Sequence, residues 1–227
     1  MLSVASKLST YVLLALSLFL LASCEDDDNN RSVVGSGTLI TETRDVPAFT
    51  GISVSGSTEV TVINGTPFTV QITADDNVMD MVETEVNNGE LDISVDANNV
   101  RNVTLLATIT MPSLNSINGS GATTYDIGAF SQTNSDLSVD LSGAAKATIT
   151  GAVFDDLNVN LSGASEAFCF SSLVNSATVD LSGSSTLEVN VEELLTGEVS
   201  GSSTVRYRNN PEVTVATSGS SSVVDAN

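Results

Sequence analysis

The chain contains no histidine and no tryptophan, and its 7 basic residues stand against 28 acidic ones, a net charge of −21. Without histidine there is no Ser-His-Asp or Cys-His catalysis and no His-ligated zinc. So few Lys and Arg exclude nucleic acid as a partner, because phosphate binding requires cations that displace counterions. The 2 cysteines are Cys24 and Cys169. If Cys24 is modified, Cys169 has no mate and no intrachain disulfide forms. Aromatic residues are scarce, so sugar-stacking platforms are few. No apolar run reaches the ~20 residues of a membrane-spanning helix. The longest extends from Val12 to Ala22, broken only by Ser17.

That run, preceded by Lys7, has the length and flanks of a secretory signal. It ends in Leu21-Ala22-Ser23-Cys24, which resembles a bacterial lipoprotein signal whose cysteine is lipidated and becomes the first mature residue. Glu25-Asp26-Asp27-Asp28 resembles the acidic export tag of surface lipoproteins in the Bacteroidetes. The expectation is a signal peptide over 1–23, an acidic polar tether over 24–37, and an outer-membrane, surface-exposed protein held through Cys24. Two or three acyl chains anchor firmly where one is marginal, at roughly 0.8 kcal/mol per buried methylene.

In the second half a Ser-Gly phrase recurs, with glycines at Gly143, Gly163, Gly183, Gly201 and Gly219. The successive steps are 20, 20, 18 and 18 residues, with apolar-polar alternation on both sides. Equal steps of this size mean that the chain returns repeatedly to one place in space. Strand parity then assigns the side chains to faces. Leu137, Val139 and Leu141 align with Leu157, Val159 and Leu161, and with Ala177, Val179 and Leu181. After the corner, Ala147 and Ile149 align with Ala167 and Cys169, then Leu187 and Val189. The predicted fold is all-β: a right-handed parallel β-helix with coils of about 18–22 residues. It occupies a single domain over 38–227, strand- and hairpin-rich over 38–112 and regularly coiled over 113–227.

An earlier copy of the phrase, Ile52 to Val62, is separated from the rest by an insertion. Asn64-Gly65 and Asn88-Gly89 both read as hairpin turns within it. Thr108 to Met111 reads as a strand stopped by Pro112, at a terminus or a sheet edge. A short helix over Asp76–Glu83 is weakly indicated.

The Ile52–Val62 phrase, the NGTPFTVQITADDNV segment and the LSGAAKATITG coils resemble the head GIN domain family of "putative auto-transporter adhesins" over about residues 38–227. The resemblance implies a β-helical protein of the bacterial envelope, frequently a lipoprotein, that binds something outside the cell. It supplies no catalytic residues and no cofactor, so a non-enzymatic module is expected.

Candidate contact residues come from parity. Phe168 and Phe170 face outward, flanking an inward Cys169, and exposed aromatic pairs mark contact surfaces. Their alternative is cover by the hairpins or by the 151–156 loop. Asp140, Asn160, Asp180 and Glu198 form an outward oxygen-bearing column. Carboxylates at about 4.8 Å repel by about 0.9 kcal/mol in bulk water. A hard cation such as Ca²⁺ would relieve that repulsion. Solvated surface is the plainer reading, because no calcium-loop motif is present. Glu188 and Arg206 should pair across coils. Asp225 falls on the inward column of the last coil, which is therefore expected to fray. Two other functions remain open: a β-helical polysaccharide-degrading enzyme using Asp140 with Asp180, although the coils' basic residues Arg206 and Arg208 lie on another strand, and a passive scaffold. The ligand, protein or glycan, is not written in the sequence.

Overall fold

The regular windings turn at glycines that no other residue can replace. Gly143, Gly163, Gly183, Gly201 and Gly219 have φ between 72° and 76°, a region costly for residues bearing a Cβ. A Cβ on Gly163 would also lie 2.7 Å from the carbonyl oxygen of Gly143 on the preceding rung. That closeness is used, since the Ala164 amide donates to the same oxygen at 2.7 Å, and Ser184 and Ser202 repeat the bond one and two rungs later. Two residues after most of these glycines a buried hydroxyl closes the turn. Ser165 Oγ donates to Ser162 O at 2.9 Å, and Ser185 Oγ to Ser182 O at 3.0 Å.

The computed structural model describes residues 32–130 and 136–227. The signal segment and Cys24 lie outside the described residues. The described strands, in chain order, are β1 (Ser32–Val34), β2 (Leu39–Arg44), β3 (Gly51–Val54), β4 (Glu59–Asn64), β5 (Thr69–Asp75), β6 (Val82–Asn87), β7 (Glu90–Val95), β8 (Asn99–Arg101), β9 (Leu105–Met111), β10 (Ser116–Gly119), β11 (Thr124–Ile127), β12 (Leu137–Leu141), β13 (Lys146–Ile149), β14 (Val153–Leu161), β15 (Glu166–Leu181), β16 (Thr186–Val199), β17 (Thr204–Arg208), β18 (Glu212–Thr217) and β19 (Ser222–Asp225). Among the described residues no helix is long and apolar enough to cross a membrane.

Parallel pairing stacks these strands into a two-sided solenoid. One sheet runs β7–β3–β10–β12–β14 and continues through the second halves of β15 and β16 to β18. The other runs β9–β4–β11–β13 and continues through the first halves of β15 and β16 to β17 and β19. The inward columns are the expected ones. Leu91, Ile52, Ile117, Val139, Val159 and Val179 stack on the first sheet, and Ile109, Val62, Ile127, Ile149, Cys169 and Val189 on the second; all are buried. Each such side chain contributes about 1.5–3 kcal/mol relative to exposure. Gly119 interrupts the Leu141 column, and the buried Tyr125 ring fills the space, donating its hydroxyl to Asn118 O at 2.6 Å.

The change of step from 20 to 18 residues is absorbed at one bend. Between β15 and β16 the register shifts twice, between Cys169 and Val174 and again between Val174 and Ser176. The strands on either side keep their columns. Only the corner opposite the glycines is shortened.

The insertion folds differently from one expectation. Asn88-Gly89 is a hairpin turn: both residues have positive φ and β6 pairs antiparallel with β7. Asn64-Gly65 is not. Strand β9 lies between β4 and β5, parallel to the first and antiparallel to the second, so the two strands that the turn joins never pair. The Thr108–Met111 stretch is accordingly a central strand rather than an edge. Strands β7 and β9 form a rung of their own, placed ahead of the earlier-made β3–β4 rung. Antiparallel β6 and the β5–β2 pair then close that end of the stack. The weak helix signal resolves into a single 3-10 turn, Met79–Met81, before β6.

Strand β1 falls inside the stretch read as tether and pairs with β8. The buried Asp75 carboxylate fastens this region by accepting from the Gly37 and Thr104 amides at 2.6 and 2.8 Å. At the other end the last rung does not fray. Strands β18 and β19 keep full register with β16 and β17, and Asp225 is exposed, accepting from the Asn227 side chain at 2.7 Å. Its carboxylate escapes burial because the core thins there: Val213 is 39% exposed, whereas Val205 on the preceding rung is fully buried.

Candidate functional site

The outer faces of the two sheets differ in chemistry. On the first sheet, parallel register lines up Asp92, Ser53, Asn118, Asp140, Asn160, Asp180 and Glu198. The flanking column runs Glu90, Gly51, Ser116, Ser138, Asn158, Thr178 and Thr196, with no Lys or Arg. A shallow groove of about 330 Å³ lies over Ser53, Asp92, Asn118 and Asp140. The column is tied internally: Asn118 donates to Glu90 at 2.6 Å, and Asn160 to Asp140 at 3.4 Å. Asp140 and Asp180 are held two rungs apart by Asn160. Among the described residues no group of three or more carboxylates or thiols converges where a metal could be held.

The outer face of the second sheet carries Phe168 and Phe170, and Phe168 aligns with Thr148 on one side and Glu188 on the other. Both phenylalanines are half-buried on the outside of β15, with buried Ala167 and Cys169 alternating between them. Each ring meets a cation. Lys146 Nζ sits 4.6 Å from the Phe168 centroid, and Arg208 Cζ sits 4.1 Å from that of Phe170. Such contacts contribute about 0.5–1 kcal/mol at exposed sites.

Arg208 comes from the second rung beyond Phe170 and passes over Asn190 to reach the ring. The register shift explains the opening, since β16 has too few residues at the bend to cover the segment of β15 after Cys169. Asn190 accepts from Asn209 at 2.7 Å.

Two ion pairs cross the same face. Arg206 Nε lies 3.8 Å from Glu188, as the spacing predicted, and Lys146 Nζ lies 3.4 Å from Glu166, a second pair at aligned outward positions. Both pairs are partly solvated and worth about 0–1 kcal/mol each. Arg208 has no carboxylate within ion-pair distance among the described residues. Beneath this face, Cys169 is fully buried, and burial pushes its thiol up to about 12. Tyr125 is likewise pushed up by burial, with Glu90 adding to the effect. Neither group is a nucleophile near neutral pH.

Rungs stacked in parallel, with a dry interior and two long outer sheets, define a β-solenoid that presents extended surfaces rather than a cleft. A family model described as "Putative auto-transporter adhesin, head GIN domain" matches residues 48–211, and the chain belongs to that family. Membership puts it among proteins of the cell surface or envelope. Solved structures share the fold. A "putative adhesin" from Bacteroides fragilis is 20% identical with a TM-score of 0.64, covering 85% of this chain and 99% of its own. A "putative lipid binding protein" from Parabacteroides distasonis is 17% identical at 0.55, covering 87% and 100%. A "putative adhesin" from Parabacteroides merdae is 13% identical at 0.50, covering 86% and 99%. No curated protein is significantly similar to the chain.

Proposed function

We propose that this protein is a non-enzymatic binding module of the bacterial surface. It is held to the outer membrane by lipid on Cys24 and meets its partner through the outer face of the second sheet. The observation that carries this reading is the Phe168–Phe170 pair, half-buried on an outer face with a cation resting on each ring. Aromatic residues, Phe included, and Arg are enriched at contact surfaces relative to the rest of a protein's exterior. Family membership supports a role in adhesion, and the anchor rests on the Leu21-Ala22-Ser23-Cys24 motif.

The test is adhesion of the purified protein to epithelial cells and to immobilised mucin, comparing wild type with the double variant Phe168→Ser, Phe170→Ser. The double variant should bind at least about tenfold more weakly while its melting temperature falls only modestly. Unchanged adhesion would refute the contact face. Lipid at Cys24 is checked separately by metabolic labelling with a fatty-acid analogue, which Cys24→Ala should abolish. Release of sugars from incubated polysaccharide, lost in Asp140→Asn or Asp180→Asn, would refute the non-enzymatic reading.

A further inference from the structure

The two ends of the stack are finished differently. At the first rung, antiparallel β6 lies on β7 and the β5–β2 pair lies on β9. The outermost strand there, β2, carries Glu42 and Arg44 on its inward parity, joined at 3.0 Å, and inward-pointing charges discourage further pairing. At the last rung, β18 and β19 pair with β16 and β17 on one side, and no described strand pairs with them on the other. From Val213 to Val224 this edge has no charged residue and no proline; Glu212 and Asp225 stand at its two ends. Val213 and Val224 are exposed, and Val215 and Val223 are half-buried.

The backbone of this end repeats the acceptors that hold one rung on another. The Ser218, Ser220 and Ser222 amides donate to the Val199, Gly201 and Ser203 oxygens at 2.9, 2.7 and 3.0 Å. One rung on, the Thr217, Gly219 and Ser221 carbonyls occupy the same places, and no described rung stands beyond them. A row of unpaired amides and carbonyls beside half-covered valines is a template for another strand. Two such rows share this end face, about 10 Å apart across the core. A single extended peptide completes one row and leaves the other open, with the interior still uncovered. A partner presenting two edges at the same separation closes both, and the same end of a second copy has that shape.

We infer that the open end of the solenoid binds a second copy of this chain, end to end. A two-fold axis across the stack sets β18 antiparallel to its own copy and β19 antiparallel to its own copy, an isologous contact. Side chains alternate with period two, so pairing centred on Val215 keeps inward residues opposite inward ones. Val215 then meets its own copy, Val213 meets Thr217, and Glu212 falls opposite Ser218 rather than another carboxylate. The end face measures about 20 Å by 20 Å, so about 800 Å² is buried over both copies, in the range of weak encounters. The net charge of −21 on each copy weakens the pair further at low salt. Resting on the lipid anchor proposed above, that weakness fits the placement. Strand β1, which follows the tether, lies against β8 beside the first rung, and the open end stands seven rung spacings away, about 34 Å. Copies on facing membranes meet end to end, and many weak pairs act together. The contact is self-adhesion, separate from the Phe168–Phe170 face.

Two measurements test it. In the first, the purified full chain carrying Val215→Cys is oxidised with copper phenanthroline. A covalent dimer should form, at least about tenfold more than with Ser138→Cys on the outer face of β12, because only the end-to-end pair holds two thiols at high effective concentration. In the second, turbidity follows phosphatidylcholine vesicles bearing the lipidated protein. They should aggregate with one another at about 0.15 M salt, more slowly at about 0.01 M, and should not capture bare vesicles. Val215→Lys should slow aggregation at least about tenfold, with circular dichroism confirming that the variant is folded. Phe168→Ser with Phe170→Ser should leave it unchanged. No dimer with Val215→Cys, an equal dimer with Ser138→Cys, or vesicle aggregation indifferent to Val215→Lys would each overturn the inference. Capture of bare vesicles would show that lipid, not a second copy, is the partner. A covalent dimer without vesicle aggregation upholds the end-to-end pair and refutes the anchored, outward-pointing arrangement alone.

Discussion

Gly163 and Ser185 carry the two separate demands of a corner. Gly163 is required for its backbone: φ is 73° and the preceding rung's carbonyl leaves no room for a methyl group. Gly163→Ala should therefore cost about 3 kcal/mol or more in a urea melt. Ser185 is required only for its hydroxyl, which reaches Ser182 O and the Ser203 hydroxyl at 3.0 and 3.1 Å. Ser185→Ala should cost about 1 kcal/mol. Equal losses at the two positions would show that the corner tolerates a Cβ. Cys169 makes a prediction in pH. Its folded pKa of about 12 exceeds the ordinary 9.0, so the folded state holds the proton more tightly. The stability this confers is complete below pH 9 and is lost as pH rises toward 12. Tyr125 acts in the same direction. Stability measured between pH 7 and 11 should be flat and then fall, with a shallower fall in Cys169→Ala, and the native thiol should resist a thiol reagent at pH 8 until the protein is unfolded.

At the scale of elements, the burial columns grade from dry to wet along the stack. Ile109 in β9 is fully buried between strands on both sides, whereas Val213 in β18 is 39% exposed on the last rung. Ile109→Ala should cost about 2–5 kcal/mol and Val213→Ala under about 1 kcal/mol, read from denaturant midpoints. This contrast also shows what the sequence disclosed. Alternation beside each Ser-Gly phrase encodes the inward columns from Leu137 to Val189 directly, because each rung repeats its neighbour's local pattern. The outward placement of Phe168 and Phe170 followed from the same parity. The position of β9 did not, since Asn64-Gly65 and Asn88-Gly89 are equally good turns and nothing local reveals that one of the two strand pairs is pried apart by a strand made forty residues later. The grip of Arg208 on Phe170 escaped for a related reason. It skips a rung, and the skip depends on a register shift at a bend that no repeat copy predicts.

For the whole molecule, charge is the dominant long-range term. With 28 acidic residues against 7 basic ones, like charges predominate, and compaction works against their repulsion. Salt should relieve this, since the Debye length shrinks to about 8 Å at 0.15 M. The melting temperature should rise from low salt to 0.15 M and above, by roughly 2–4 °C per kcal/mol recovered. A fall with salt would mean that the cross-rung ion pairs outweigh the repulsion.

The order in which the rungs lie differs from the order in which ribosomes make them. Strands β3 and β4 are synthesised early, yet one of their two flanking layers is supplied only when residues 90–111 arrive, and the other only after residue 115. A chain leaving the ribosome must therefore keep that first layer waiting, unsheltered on both sides, until roughly half of it has been made.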